Sequence, residues 1–251
     1  IMYCINGVDK SRALLCGSEE AALKTTVPEG TWHDVTLRAV QNGELPANVT
    51  IIRVYESPLP GERLINATQT NYVNGLDPFD LTKAELDGRR QVLRITEFLR
   101  RHAPGYEACF VSRLPAAVGV RETRRVLGVH YLTREDVASG RTWPDAVVRK
   151  AFFPVDIHNP DGGGQAERFA GKVQHYDIPY GCLVPRDVDG LLLAGRCISG
   201  SHEAHASYRV QRITMAIGAA AGVAAALAAR SGRQPREIPA AAIQEQLGLS
   251  P

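Results

Sequence analysis

Two histidines stand three residues apart in His202-Glu-Ala-His205. Imidazole is the side chain best suited to exchanging protons near neutral pH. The spacing is not His-Glu-x-x-His, and no third ligand stands close in sequence, so no metal is expected there. Two readings stay open: a structural loop, or a loop that brings His202 or His205 to a reacting group. A second cluster is Arg121, Arg124 and Arg125. On a strand, Arg121 and Arg125 would share one face and Arg124 the other. Arginine grips carboxylates bidentately, so Arg121 and Arg124 are candidates for holding an acidic small-molecule substrate. The commoner use of such arginines is structural pairing, here with Glu122 or other acids, and that reading is preferred.

These residues need elements to hold them. Gly190-Leu-Leu-Leu-Ala-Gly195 reads as a short strand buried on both faces. A polar loop from Arg196 to Ser207 follows, and then a long Ala-rich helix that starts around Ser207–Gln211. A helix N-terminus presents free N–H groups and partial positive charge, which suits an anion. Arg209 would add a full charge there, a mild misfit that hints at use. Gly218 and Gly222, one turn apart, predict close approach to another backbone. From Ile213 to Ala229 only Thr214 is polar. Ala and Gly gain little from lipid, so a buried helix is expected and no membrane partner. Strand, loop and helix of this kind need a parallel sheet, and the chain offers few strands to build one.

Upstream, Ile1 to about Cys16 reads as strand, an Asn6-Gly7 turn and more strand. Glu29–Ile65 reads as turns with β-type runs such as Val49–Tyr55. A helix is predicted over Asp80–His102, capped by Thr82 with Glu85, with an apolar stripe through Leu86, Val92, Leu93, Ile95, Phe98 and Leu99. Ala103-Pro-Gly stops it. Phe110–Tyr131 looks strand-like, and a polar connector precedes Phe152–Ile157. In the Gly-rich loop from Asn159 to Gly171, Asp161–Gly164 reads as a flexible turn, since no Gly-Lys-Ser/Thr follows.

Composition narrows the function classes. With 251 residues, one large or two small domains fit. A net charge of +2 is too small to point to nucleic acid. Five cysteines without a CxxC pair suggest neither a disulfide framework nor a zinc site, so a reducing, cytoplasmic setting is expected. The chain opens at Ile1 in an apolar run without an initiator methionine, as a fragment or processed product would.

Several motifs occur together and in order. They are Gly119–Gly128, Phe153-Pro-Val-Asp-Ile-His-Asn-Pro160, Tyr176–Pro185, Val188–Ser199 and His202–Val210, with Gly7-Val-Asp9 near the start. In these the chain resembles the C-terminal part of the bacterial FAD-dependent oxidoreductase family. That resemblance implies an α/β (α+β) fold with a β-rich substrate domain over 1–186. The segment 187–251 would be the closing strand and helix of a discontinuous Rossmann-type FAD-binding domain. It further implies hydride transfer between a small organic substrate and flavin N5. Gly195, Arg196, Ser207, Arg209, Val210 and Gln211 would face the FAD. The family's N-terminal Gly-x-Gly-x-x-Gly, which grips the FAD diphosphate, occurs nowhere in these residues. The missing N-terminal Rossmann portion is therefore an expected partner, and weak FAD binding is expected without it. At Gly181 many relatives carry arginine. The rival reading is a non-enzymatic β-rich module that binds a carbohydrate or a partner chain.

Overall fold

The computed structural model describes residues 1–159 and 173–249, so the turn expected at Asp161–Gly164 lies outside the described residues. The chain forms two compact units. One comprises Ile1–Thr123 with His158 and Asn159, and the other Arg124–Ile157 with residues 173–249. The sequence division at 186/187 falls inside the second unit. Both units mix helices with small sheets, an α+β construction.

In the first unit β1 (Met2–Asn6) lies between β5 (Arg63–Asn66) and β6 (Phe110–Arg113), and β4 (Arg53–Glu56) forms the edge. All pairings are antiparallel. Tyr3 and Ile5 are buried, as strand alternation requires. β2 (Thr26–Val27) and β3 (Gly30–Thr31) form a short separate ladder. The unit is less β-rich than expected. Its helix α3 (Pro78–His102) has 25 residues, more than the four sheet strands together.

α3 buries Val92, Ile95, Phe98 and Leu99 against Tyr3, Ile5 and Trp32. Leu86 and Leu93, assigned to the same stripe from sequence, are instead 52% and 68% exposed. The buried set follows Ala84, Gly88, Gln91 and Val92, one turn apart, and the two leucines project from the other side. Asp77, not Thr82, caps the helix. Its carboxylate accepts from the Phe79 amide at 2.8 Å, and Pro78 occupies the first turn. Thr82 donates back to the Pro78 carbonyl, and Glu85 accepts from the Val118 amide.

Two helices of this unit went unread in the sequence: α1 (Glu19–Lys24), capped by Ser18, and α2 (Trp32–Gln41), capped by Thr31 with Asp34. Thr31-x-x-Asp34 is a cap signal, but Trp, Val and Thr in the helix favour strands and masked it. Val49, Ile51 and Ile52 are buried yet lie outside β4.

The second unit holds the hairpin of β7 (Ala146–Ala151) and β8 (Tyr176–Pro179). Four helices join it: α4 (Arg134–Ser139), α5 (His202–Tyr208), α6 (Gln211–Ser231) and α7 (Ala240–Leu247). Their shared core contains Tyr176, Ile178, Cys182, Leu183, Tyr208 and Ile217. β7 and α4 fall where only a polar connector was expected. Thr133 and Asp136 form the capping box of α4.

Three expectations are corrected here. Leu191–Ala194 joins no ladder; only the Leu193 amide reaches back, to the Leu183 carbonyl at 2.7 Å, and Leu191 is exposed. Among the described residues every paired strand is antiparallel, so no parallel sheet exists to receive this run. The long helix is buried on one face only, along Ile213, Ile217, Ala220, Ala224 and Ala228, while Met215 is 67% exposed. It is long and apolar enough to cross a membrane by length and composition, but 33% of its apolar window is buried in this unit. Gly218 and Gly222 have nothing within 4 Å of an added Cβ, so no backbone closes on them.

Asp136 illustrates how a cap also sets acid stability. Burial alone would raise its pKa, but hydrogen bonds from the Thr133 amide and hydroxyl and from Arg141 outweigh it and hold the carboxyl below its ordinary value. A depressed folded value stabilises the native state above the unfolded value, near pH 4, and is lost as pH falls through the folded value. Urea unfolding across the acid range should therefore show a smaller loss of stability for Asp136→Asn than for the parent. An identical slope for both proteins would refute this.

Candidate functional site

The junction of α5 and α6 is the structural centre of the residues proposed from sequence. Ser201 caps α5 by accepting from the Ala204 amide at 3.1 Å. α5 ends at Arg209, and Val210 takes an extended conformation (φ −72, ψ 149) that opens α6. The expected loop from Arg196 to Ser207 thus contains a 3-10 turn (Gly195–Cys197) and a helix. Ala and His-Glu pairs suit a helix, and Ser201 starts it.

Ser207 lies inside α5, fully buried, rather than at the start of the long helix. Its hydroxyl donates to the Phe153 carbonyl at 2.5 Å, which leaves the Tyr176 hydroxyl to donate to Ser207 Oγ at 2.9 Å. Burial pushes the Tyr176 phenol far above its ordinary pKa, so it stays a neutral donor. Arg209 is not a bare charge at a helix end. Its guanidinium donates to Asp156 Oδ2 at 2.6 Å and to the Asp156 carbonyl at 3.2 Å. Asp156 thereby relieves the misfit of a cation beside the positive end of α6.

No side chain caps α6. The Val210 side chain has no oxygen to offer, although its carbonyl accepts from the Ile213 and Thr214 amides, and the first amides of any helix lack partners within it. The first-turn amides of α6 thus have no side-chain acceptor at the N-cap, and water or another group can meet them. Gly195 has φ 85 and nothing within 4 Å of an added Cβ, so its surroundings are open. Arg196 beside it is exposed.

His202 is exposed in the first turn of α5, and His205 is buried with its ring edge-on to Tyr208 at 5.4 Å. The carboxyl of Glu203, between them, is held below its ordinary pKa chiefly by its own backbone amide at the helix start. Among the described residues no three His, Cys, Asp or Glu side chains gather to hold a metal ion, and all five cysteines are free thiols.

The arginine cluster is not a strand. Arg121 lies in the first unit, where burial and the charge of Arg121 together lower the Ile1 ammonium pKa. Arg124 and Arg125 open the second unit. Arg125 donates to the Gly200 carbonyl, and the Val126 amide bonds the Cys197 carbonyl at 3.0 Å. The stretch is thus tied edgewise to the segment that leads into α5, which explains its strand-like composition without a ladder. Sequence reading missed the Arg209–Asp156 and Ser207–Tyr176 pairs, since neither partner is near in sequence. At Gly181, an added Cβ would stand 2.9 Å from His130 Cβ and 3.1 Å from its amide nitrogen, so a larger side chain has no room here unless His130 shifts.

The model of the FAD dependent oxidoreductase family matches residues 2–247. The chain belongs to this family, with the general oxidoreductase role and use of FAD that membership carries. No curated protein and no solved structure shows a significant match to it.

The buried hydroxyl pair gives a direct test of what shapes the junction. Ser207→Ala leaves the Tyr176 hydroxyl buried without an acceptor and should cost about 1–3 kcal/mol of stability in urea unfolding. Adding Tyr176→Phe should recover part of that loss, because the orphaned donor is gone. Strictly additive losses in the double variant would contradict the pairing.

Proposed function

We propose that this chain supplies the substrate portion and the closing segment of a discontinuous FAD-binding domain, in an enzyme that oxidises or reduces a small organic molecule. The family match over residues 2–247 carries this reading. When bound, FAD supplies the hydride chemistry at flavin N5. The local structure fits such a group in part. The open glycine at Gly195, the exposed Arg196 and the uncapped N-terminus at Val210 and Gln211 form one set suited to an extended, partly anionic cofactor. Ser207 and Arg209 fit as positioning residues, since both are committed to neighbours that fix where α5 ends and α6 begins.

His202, exposed at the start of α5, takes up or returns the substrate proton, and buried His205 holds the helix in place. Arg121, in the first unit, and Arg124, in the second, are separate candidates for holding an acidic group on the substrate. The exposed face of α6 and the run Leu191–Ala194, which joins no ladder, are where the remaining Rossmann portion would pack. The free thiols are in keeping with a cytoplasmic location.

The test is cofactor content. These 251 residues, which lack Gly-x-Gly-x-x-Gly, should bind FAD weakly in calorimetry. The same chain extended at its N-terminus by the encoded upstream residues should purify yellow. A colourless extended protein that takes up no added FAD would overturn the assignment.

A further inference from the structure

The first unit carries a polar cleft of about 280 Å³ whose lining includes none of the residues assigned above to the cofactor or the substrate. One wall is a stripe of α3. Lys83, Asp87, Arg90 and Arg94 follow one another at spacings of four, three and four, so they share a helix face. The other wall is Asn48 and the segment from Gln69 to Val73. The volume lies just below the usual range of ligand cavities, roughly 300 to 1,000 Å³, and so suits only a small ligand.

The floor is built to hold still. Buried Gln91 pairs with the backbone of Gln69 twice, accepting from its amide and donating to its carbonyl, each at 2.9 Å. Asn48 donates to the same carbonyl at 2.6 Å. The Gln69 side chain donates to Asn71 Oδ1 at 2.9 Å and to the Asn159 carbonyl at 3.2 Å, and its oxygen meets His158 Nδ1 at 2.9 Å. Interlocking amides of this kind are how a protein fixes polar groups before a ligand arrives.

The charge is unbalanced. Three cations face one carboxylate. Asp87 pairs with Arg90 at 3.3 Å, and Arg94 is committed to the carbonyls of Gly43 and Glu44. Lys83 has no hydrogen bond or ion pair among the described residues. Beside the cleft, between Asn71 and Val73, Tyr72 is held at φ 54 while 75% exposed. A left-handed backbone at an exposed aromatic residue is strain without burial to offset it, and such strain concentrates at ligand sites.

We propose that this cleft binds a small hydroxylated carboxylate of the sugar-acid class. Lys83 and Arg90 hold its carboxylate, and Asp87 and the Asn48 side-chain oxygen accept from its hydroxyls. The proposal stands apart from the flavin reading and survives or fails without it.

Amide NMR titration of the 251-residue chain tests it, with D-gluconate as probe, D-sorbitol as its uncharged counterpart and inorganic phosphate as an anion without hydroxyl carbons. Saturable shifts at the amides of Asn71, Lys83 and Arg90 are expected with gluconate, and at least roughly tenfold weaker binding of sorbitol and phosphate. Lys83→Met and Arg90→Met, both at exposed positions, should each weaken gluconate about tenfold, the scale of one charge-assisted hydrogen bond, with the rest of the spectrum unchanged. Absence of saturable gluconate shifts would overturn the proposal. So would equal binding of phosphate or sorbitol, or gluconate affinity untouched by both substitutions. If either variant disturbs the fold, Asn48→Ala, which removes one hydroxyl acceptor, serves in its place and should weaken gluconate but not phosphate.

Discussion

A buried hydroxyl chain governs the second unit. Ser207 Oγ stands between the Tyr176 hydroxyl and the Phe153 carbonyl and so ties α5 to β8 and to the segment after β7. The Tyr176 hydroxyl and the Phe153 carbonyl are both bonded to Ser207 Oγ, and in a low-dielectric interior an unmade bond is costly. The arrangement therefore holds as a whole. Two residues later Arg209 meets Asp156, and the helix breaks at Val210. The break is what leaves the start of α6 without a side-chain cap. An open helix N-terminus, the feature that suits an anionic group, thus follows from where a serine and a tyrosine meet in the core.

The first unit depends on a different constraint, the burial of one face of a single long helix. Trp32 and Phe98 pack at 5.4 Å between ring centres, and the Trp32 indole donates to the Ile52 carbonyl. Apolar burial of this size is the main favourable term in holding four short strands together. With that face committed, the flank of α3 bearing Lys83, Asp87 and Arg90 is fixed beside the Gln69 network. Core packing and the polar cleft are two sides of one helix, so the position of the charged stripe is inherited from the apolar one.

Much of this was legible wherever the physics is local. The α3 helix, its stop before Pro104, the end of β1 at Asn6 and the Ala-rich helix all follow from periodicity and punctuation. The order of motifs that carries the family resemblance is likewise a property of the chain alone, and the family match agrees with it. Local signals failed where competitors were close in strength. Thr82 and Asp77 are both good caps, and Pro78 decides between them by favouring the first turn. In α2 the strand-forming residues hid a Thr31–Asp34 cap.

The residues of the junction lay beyond such reading for a reason of distance. The sequence by itself determined that a helix would follow Gly195, that His202 and His205 would stand near its approach, and that Leu191–Ala194 would be apolar. Only the tertiary structure decided that Asp156 would neutralise Arg209, that Ser207 would turn inward, and that Leu191–Ala194 would find no strand to pair with. Helix caps and periodicity act over three or four residues, whereas Ser207 and Tyr176 are 31 apart and Arg209 and Asp156 are 53 apart. Pairings at that range are selected by packing of the whole unit, because no short stretch of chain carries the free energy that chooses one partner over another.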